Sequence, residues 1–182
     1  MKTPSDSIFA YLRAKDGNRP HLLVDAFTDD ASLAMVVNTG TISFPPVSQG
    51  RDAIAEVLVR RFAQTYENVY TLCLAQPPGH QEPTFACDWL VVMTEKESRA
   101  VRVGCGRYDW RFAPSSCLVE RLSIAIEVMQ SLPPSDLDVV MQWVACLPYP
   151  WCSAKAAMRG APNLGDLSAV LEYIGREDAF AH

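Results

Sequence analysis

The sequence predicts an α+β domain in which one strongly bent antiparallel sheet wraps around a layer of N-terminal helices. Three observations carry that expectation. Apolar residues recur at helical spacing near the start of the chain and again over 51–65. The period then changes to two across four segments, 69–75, 84–94, 100–112 and 118–129. In the third of these, Gly104, Gly106, Tyr108, Trp110 and Phe112 share one face, while Cys105, Arg107, Asp109 and Arg111 share the other. Glycines on one strand face let a sheet bend or a ligand approach, and the aromatics beside them supply a wall. The plainer reading is that these aromatics are ordinary core and the glycines relieve crowding.

Ser5 or Asp6 can cap a first helix carrying Ile8, Phe9 and Leu12, which Asp16-Gly17-Asn18 ends. Asn18 can cap a second helix over 19–27, with Pro20 in its first turn and Leu23, Val24 and Phe27 as its apolar stripe. A turn at 27–31 leads to a short strand over 33–38, Thr39-Gly40 reverses the chain, and 41–44 returns beside it. The clearest helix covers 51–65, with Ile54, Val57, Leu58, Arg61 and Phe62 at helical spacing. Pro77-Pro78-Gly79-His80 and Thr94-Glu95-Lys96-Glu97-Ser98 are turns between the long strands.

Beyond Met129, Pro133-Pro134-Ser135-Asp136 breaks the chain and caps a helix whose stripe is Leu137, Val140, Met141, Val144 and Leu147. A further amphipathic helix covers 166–174 through Leu167, Val170, Leu171 and Ile174. Such helices need a surface to cover: the outer face of the sheet, a dimer contact or the mouth of a cavity. The expected division is therefore 1–131 for the α+β domain and 132–182 for a helical C-terminal extension packed on it.

A chain of 182 residues, 49% hydrophobic and 20% charged, has the composition of a globular protein. Its net charge of −5 argues against a general nucleic-acid binder. No apolar run approaches the roughly 18–20 residues that span a bilayer. The opening Met1-Lys2-Thr3-Pro4-Ser5-Asp6-Ser7 lacks the regions of a signal peptide, so the expected location is cytoplasmic, with no membrane partner. Cys73, Cys87, Cys105 and Cys117 lie in or beside apolar strand-like segments, and Cys146 and Cys152 stand apart from any histidine. All six read as reduced, mostly buried thiols rather than metal ligands, and no cofactor is expected.

Three local patterns resemble the nuclear transport factor 2-like superfamily, especially its SnoaL-like branch. They are Phe27-Thr28-Asp29-Asp30-Ala31 at the entry to the first strand, Gly50-Arg51-Asp52-Ala53-Ile54 at the turn into a helix, and Gly106-Arg107-Tyr108-Asp109-Trp110-Arg111-Phe112 on a long strand. The match covers 5–129, and Ser115-Ser116-Cys117 stands where the family usually has a Gly-Trp or Lys-Trp turn. The resemblance implies a cystatin-like cone with a deep apolar pocket, and a homodimer formed through the outer face of the sheet. It also spans many chemistries, so the site must decide among them.

A steroid-isomerase type of chemistry needs a carboxylate base and an opposing acid; the base position falls on Met35 and the acid position on Tyr108. A scytalone-dehydratase type needs pocket histidines, and His21, His80 and His182 all lie outside the strands. A limonene-epoxide-hydrolase type would need Arg107 and Asp109 to point inward with Glu120 or Glu127, which would turn Tyr108 and Trp110 outward. The favoured reading is instead a salt-bridged outer face for Arg107 and Asp109. A non-catalytic role like that of a ring-hydroxylating-dioxygenase small subunit also suits the length and order of elements.

The remaining constellation is a pocket of Tyr108, Trp110, Trp89, Met35, Phe62 and Tyr66, with Tyr108 as its polar tip. The expected function is binding of a small apolar or aromatic molecule, with lyase or isomerase chemistry left open. No catalytic residue is assigned.

Overall fold

Thr3, rather than Ser5 or Asp6, caps the first helix in the computed structural model, which describes residues 2–176. The Thr3 hydroxyl accepts the Asp6 N–H at 3.2 Å while the Asp6 carboxylate accepts the Thr3 N–H at 2.9 Å, a reciprocal capping box. Helix α1 (Pro4–Asp16) buries Ile8, Tyr11, Leu12 and Lys15, and leaves Phe9 exposed. The helix expected over 19–27 shrinks to a 3-10 turn, Pro20–Asp25, with Val24 exposed. Asn18 takes a left-handed φ of 50°, which closes α1 and disqualifies it as an N-cap, a position that requires extended backbone.

Strand β1 (Phe27–Val37) absorbs the turn expected at 27–31 as an irregularity between Phe27 and Ser32. Its hairpin partner is β2 (Val47–Gln49), not 41–44. Pro45-Pro46, directly after the expected strand, supply no N–H donors with which to extend a ladder, whereas Val47–Gln49 retain theirs. The helix expected over 51–65 is composite: α2 (Arg51–Ala55), a π-helical turn (Glu56–Arg61) and α3 (Phe62–Thr65). The wider turn brings Arg61 Nε within 3.0 Å of Glu56 Oε1 and buries Leu58 and Phe62 together, while Arg61 is exposed.

Strands β3 (Tyr66–Cys73), β4 (Thr84–Glu95), β5 (Val101–Phe112) and β6 (Val119–Leu132) are antiparallel neighbours, as their alternation predicts. The six-stranded order is β2-β1-β6-β5-β4-β3, and β1 lies parallel to β6, so the sheet is mixed rather than wholly antiparallel. Across the turn that contains Ser115-Ser116-Cys117, Phe112 pairs with Val119.

The sheet bends where Cys105 pairs with Val128 but Gly106 pairs with Ile126, leaving Glu127 as an extra residue on β6. A β-carbon at Gly106 would collide with the Ala125 carbonyl, so the bend requires glycine there. The inner face carries Trp89, Val91, Met93, Tyr108, Trp110 and Phe112 against α1 and the composite helix.

The outer face carries a second core. Leu72, Leu90, Val92, Val101 and Val103 pack against Val140, Trp143, Val144, Val170 and Ile174 of the C-terminal extension. That extension consists of α4 (Leu137–Ala145), α5 (Ala154–Gly160) and α6 (Ser168–Gly175). Helix α5, absent from the periodicity reading because it is a short Ala-rich turn, is capped by Ser153, whose hydroxyl accepts the Ala156 N–H at 3.1 Å. Between α4 and α5, Pro150 and Cys152 hydrogen-bond to the Cys73 backbone at 2.7 and 3.0 Å, so a strap continues the sheet past β3. The extension thus occupies part of the face that the resemblance assigned to dimerisation. Among the described residues, no helix is long and apolar enough to cross a membrane.

Candidate functional site

Helix α1 places Tyr11 and Lys15 four residues apart, hence on one helix face, and that face looks into the cone. Tyr11 centres an aromatic cluster, edge-on to Phe27 at 5.8 Å, to Trp110 at 5.4 Å and to Tyr108 at 6.2 Å between ring centroids. Trp89 and Tyr108 continue it at 5.7 Å. Burial pushes the phenols of Tyr11 and Tyr108 well above their ordinary pKa, so both remain protonated.

Beside this cluster lies a cavity of about 50 Å³. Met35, Phe62, Trp89 and Tyr108 line it together with Tyr11 and Lys15. Four of the six residues singled out from the sequence therefore meet around one space. Trp110 is buried in the core behind it, and Tyr66 stands outside, its ring 5.0 Å from that of Phe62. Tyr66 lines a neighbouring groove of about 380 Å³ with Arg61 and Thr65. Ile42, Phe44 and Phe62 border both spaces and so form the partition between them. The segment that carries Ile42 and Phe44 is tied down where Thr41 Oγ1 donates to the Met129 carbonyl at 2.8 Å and the Asn38 N–H donates to the Ile126 carbonyl at 2.9 Å.

The polar side of the cavity escapes a reading of periodicity. Lys15 is only 7% exposed, and its ammonium donates to Thr71 Oγ1 at 2.7 Å and to Asp16 Oδ1 at 2.9 Å. It also lies 4.8 Å from the centroid of the Phe62 ring. Asp16 in turn accepts the Thr71 N–H at 2.8 Å, the Thr71 hydroxyl at 2.8 Å and the Tyr149 hydroxyl at 3.1 Å. Tyr149 belongs to the strap, so the C-terminal extension reaches the back of the site. Lys15 continues the helical stripe of Ile8, Tyr11 and Leu12, but a lysine at the end of such a stripe does not by itself read as buried.

Other chemistries lose their geometry. Arg107 and Asp109 lie on the outer face, where Arg107 pairs with Asp88 at 3.5 Å and with Asp109 at 3.9 Å. The Asp109 side chain is 59% exposed, far from the water-activating role of an epoxide hydrolase. Met35 lines the cavity where a steroid-isomerase base would sit, and a thioether takes no proton. His21 and His80 are exposed, and His182 lies outside the described residues. Cys105, under the extension, has its thiol pushed up to about 12 by burial, so it stays a neutral core group. Cys146, in contrast, is exposed.

No protein-family model and no curated protein matches the sequence. Solved structures do. A candidate isomerase from Rhodopseudomonas palustris superposes with a TM-score of 0.56 at 15% identity, over 68% of this chain and 87% of that one. An NTF2-like protein from Burkholderia thailandensis gives 0.53 at 12% identity, over 69% and 92%. A computationally designed 17-OHP binder gives 0.52 at 12% identity, over 68% and 92%.

Proposed function

The chain has the nuclear transport factor 2-like fold, and from that fold we propose that it binds a small apolar or aromatic molecule inside the cone. The observation that supports this reading is the lined cavity itself. Met35, Phe62, Trp89 and Tyr108 converge from four separate elements on one space beside a larger groove. Close-packed cores leave few such spaces, because each void forfeits dispersion contacts. One solved chain of the same fold is a computationally designed 17-OHP binder, which supports a binding role for this fold.

Binding is favoured over proton-transfer catalysis by the character of the lining. Among the described residues it contains no carboxylate and no histidine to serve as a general base. The present volume admits a few heavy atoms, so a ring enters by parting Ile42 and Phe44 from Phe62 and extends toward the groove.

Mass spectrometry of the purified protein, first native and then denatured, tests this. One small molecule released per chain on denaturation is the expected result. An empty protein whose tryptophan fluorescence and melting temperature are also unmoved by apolar aromatic compounds would overturn it.

A further inference from the structure

Two polar atoms on side chains that line the cavity lack a partner, and a third group is incompletely used. Tyr11 Oη and Trp89 Nε1 are buried and have no hydrogen-bond partner among the described residues. The Lys15 ammonium carries three N–H groups and spends two, on Thr71 and Asp16. Each unmet buried donor carries a desolvation cost that an incoming acceptor would remove.

Building on the binding role proposed above, we infer that the ligand presents a neutral carbonyl oxygen, and that Lys15 is the group that recognises it. The Asp16 carboxylate balances the ammonium from 2.9 Å and itself accepts from the Thr71 N–H, the Thr71 hydroxyl and the Tyr149 hydroxyl. The pair is therefore neutral overall but asymmetric: the Asp16 oxygens are used up, while the ammonium, at the cavity wall beside the Phe62 ring, keeps one N–H without an acceptor. A carboxylate ligand would bring an unbalanced charge into an apolar space, at a heavy desolvation cost. A ketone or ester oxygen needs only a donor, and a hydrogen bond from an ammonium is stronger than one from a neutral group. Tyr11, one helical turn away on the same face, offers a second donor. Asp16 is a positioning residue that holds the ammonium and is itself held by Tyr149, while Thr71 accepts from Lys15 at the cavity wall.

Three probes of similar size test the inference on the intact protein: acetophenone, ethylbenzene and benzoate, titrated by calorimetry. Acetophenone is expected to bind about tenfold or more tighter than ethylbenzene, and tighter than benzoate. Infrared difference spectra of bound acetophenone, made with a carbonyl carbon-13 label, are expected to show its stretch below the frequency in hexane. Lys15→Met is expected to remove both the preference and the shift. The infrared measurement on the unmodified protein stands even where that variant fails to fold.

Equal binding of acetophenone and ethylbenzene, with the carbonyl at its hexane frequency, would overturn the assignment of Lys15 and leave the binding role intact. Tightest binding by benzoate would replace the neutral carbonyl by an anion. Failure of all three to bind would overturn the cavity reading on which the inference rests.

Discussion

The Trp89 indole rests against the bare Cα of Gly106: a β-carbon there would come within 2.8 Å of Trp89 Cζ2. The same β-carbon would strike the Ala125 carbonyl, which belongs to the backbone at the bend of the sheet. Neither obstacle moves easily, since the carbonyl is part of β6 and the indole is wedged beneath Tyr108. Gly106→Ala is therefore expected to cost about 3 kcal/mol or more. Gly104 is a useful contrast, because a β-carbon there meets mainly the flexible end of Met129. Gly104→Ala is expected to cost about 1 kcal/mol. Urea unfolding of the two variants checks the order, and equal losses would mean that the bend does not depend on Gly106.

The capping box at Thr3 and Asp6 makes a pH-dependent prediction. Hydrogen bonds from the Thr3 N–H and hydroxyl hold the Asp6 carboxyl below its ordinary value of 3.8. The folded chain then binds this proton less readily than the unfolded one. The stabilisation is complete above the ordinary value and is lost as the pH falls through the lowered one. Thr3→Ala is expected to cost about 1 kcal/mol at neutral pH. Asp6→Asn is expected to flatten the acid limb of the stability curve; an unchanged limb in that variant would show that Asp6 titrates alike in both states.

These two sites also show where sequence legibility begins and ends. The period-two strands and the glycine face were readable because each reflects a local rule, the alternation of side chains and the room that two missing β-carbons create. Lys15 was not, because its burial depends on Thr71, 56 residues away, and on Tyr149 from the extension. A lysine at a helix C-terminus ordinarily reads as a solvated partner for the macrodipole. The return strand moved from 41–44 to Val47–Gln49 for a related reason: Ile42 and Phe44 have the composition of a strand, but they are spent on the partition of the cavity. Local pattern found the walls of the cone, and long-range contacts decided its polar end.

Asp88 anchors the extension electrostatically. Its carboxylate, on a side chain 12% exposed, meets Arg176 at 3.0 Å and Arg107 at 3.5 Å. Tyr173 of α6 donates to it at 3.4 Å, and burial together with the Asp88 charge pushes that phenol up to about 12. Both arginines are partly exposed and can be solvated when the carboxylate is removed, so Asp88→Ala is expected to cost only about 1 kcal/mol overall. Its local effect should be larger. Amide exchange in α6 is expected to quicken severalfold while exchange in β5 stays slow. Uniform quickening across the molecule would instead place Asp88 in the global core.

Removal of the chain from Pro133 onward tests what the extension is for. It would uncover Leu72, Leu90, Val92, Val101, Val103 and Cys105, all fully buried beneath the C-terminal helices. It would also strip the Cys73 backbone of its partners in the strap and leave Asp16 without the Tyr149 hydroxyl. A contiguous apolar face of this kind, next to a sheet edge with unpaired donors and acceptors, is a template for association. The truncated chain is expected to aggregate or to form a dimer through that face, as seen by light scattering. The intact chain carries its own cover for it. A truncate that stays monomeric, soluble and cooperative in unfolding would show that the outer face of the sheet is stable when bare, and that the extension serves the site through Tyr149 more than it serves the fold.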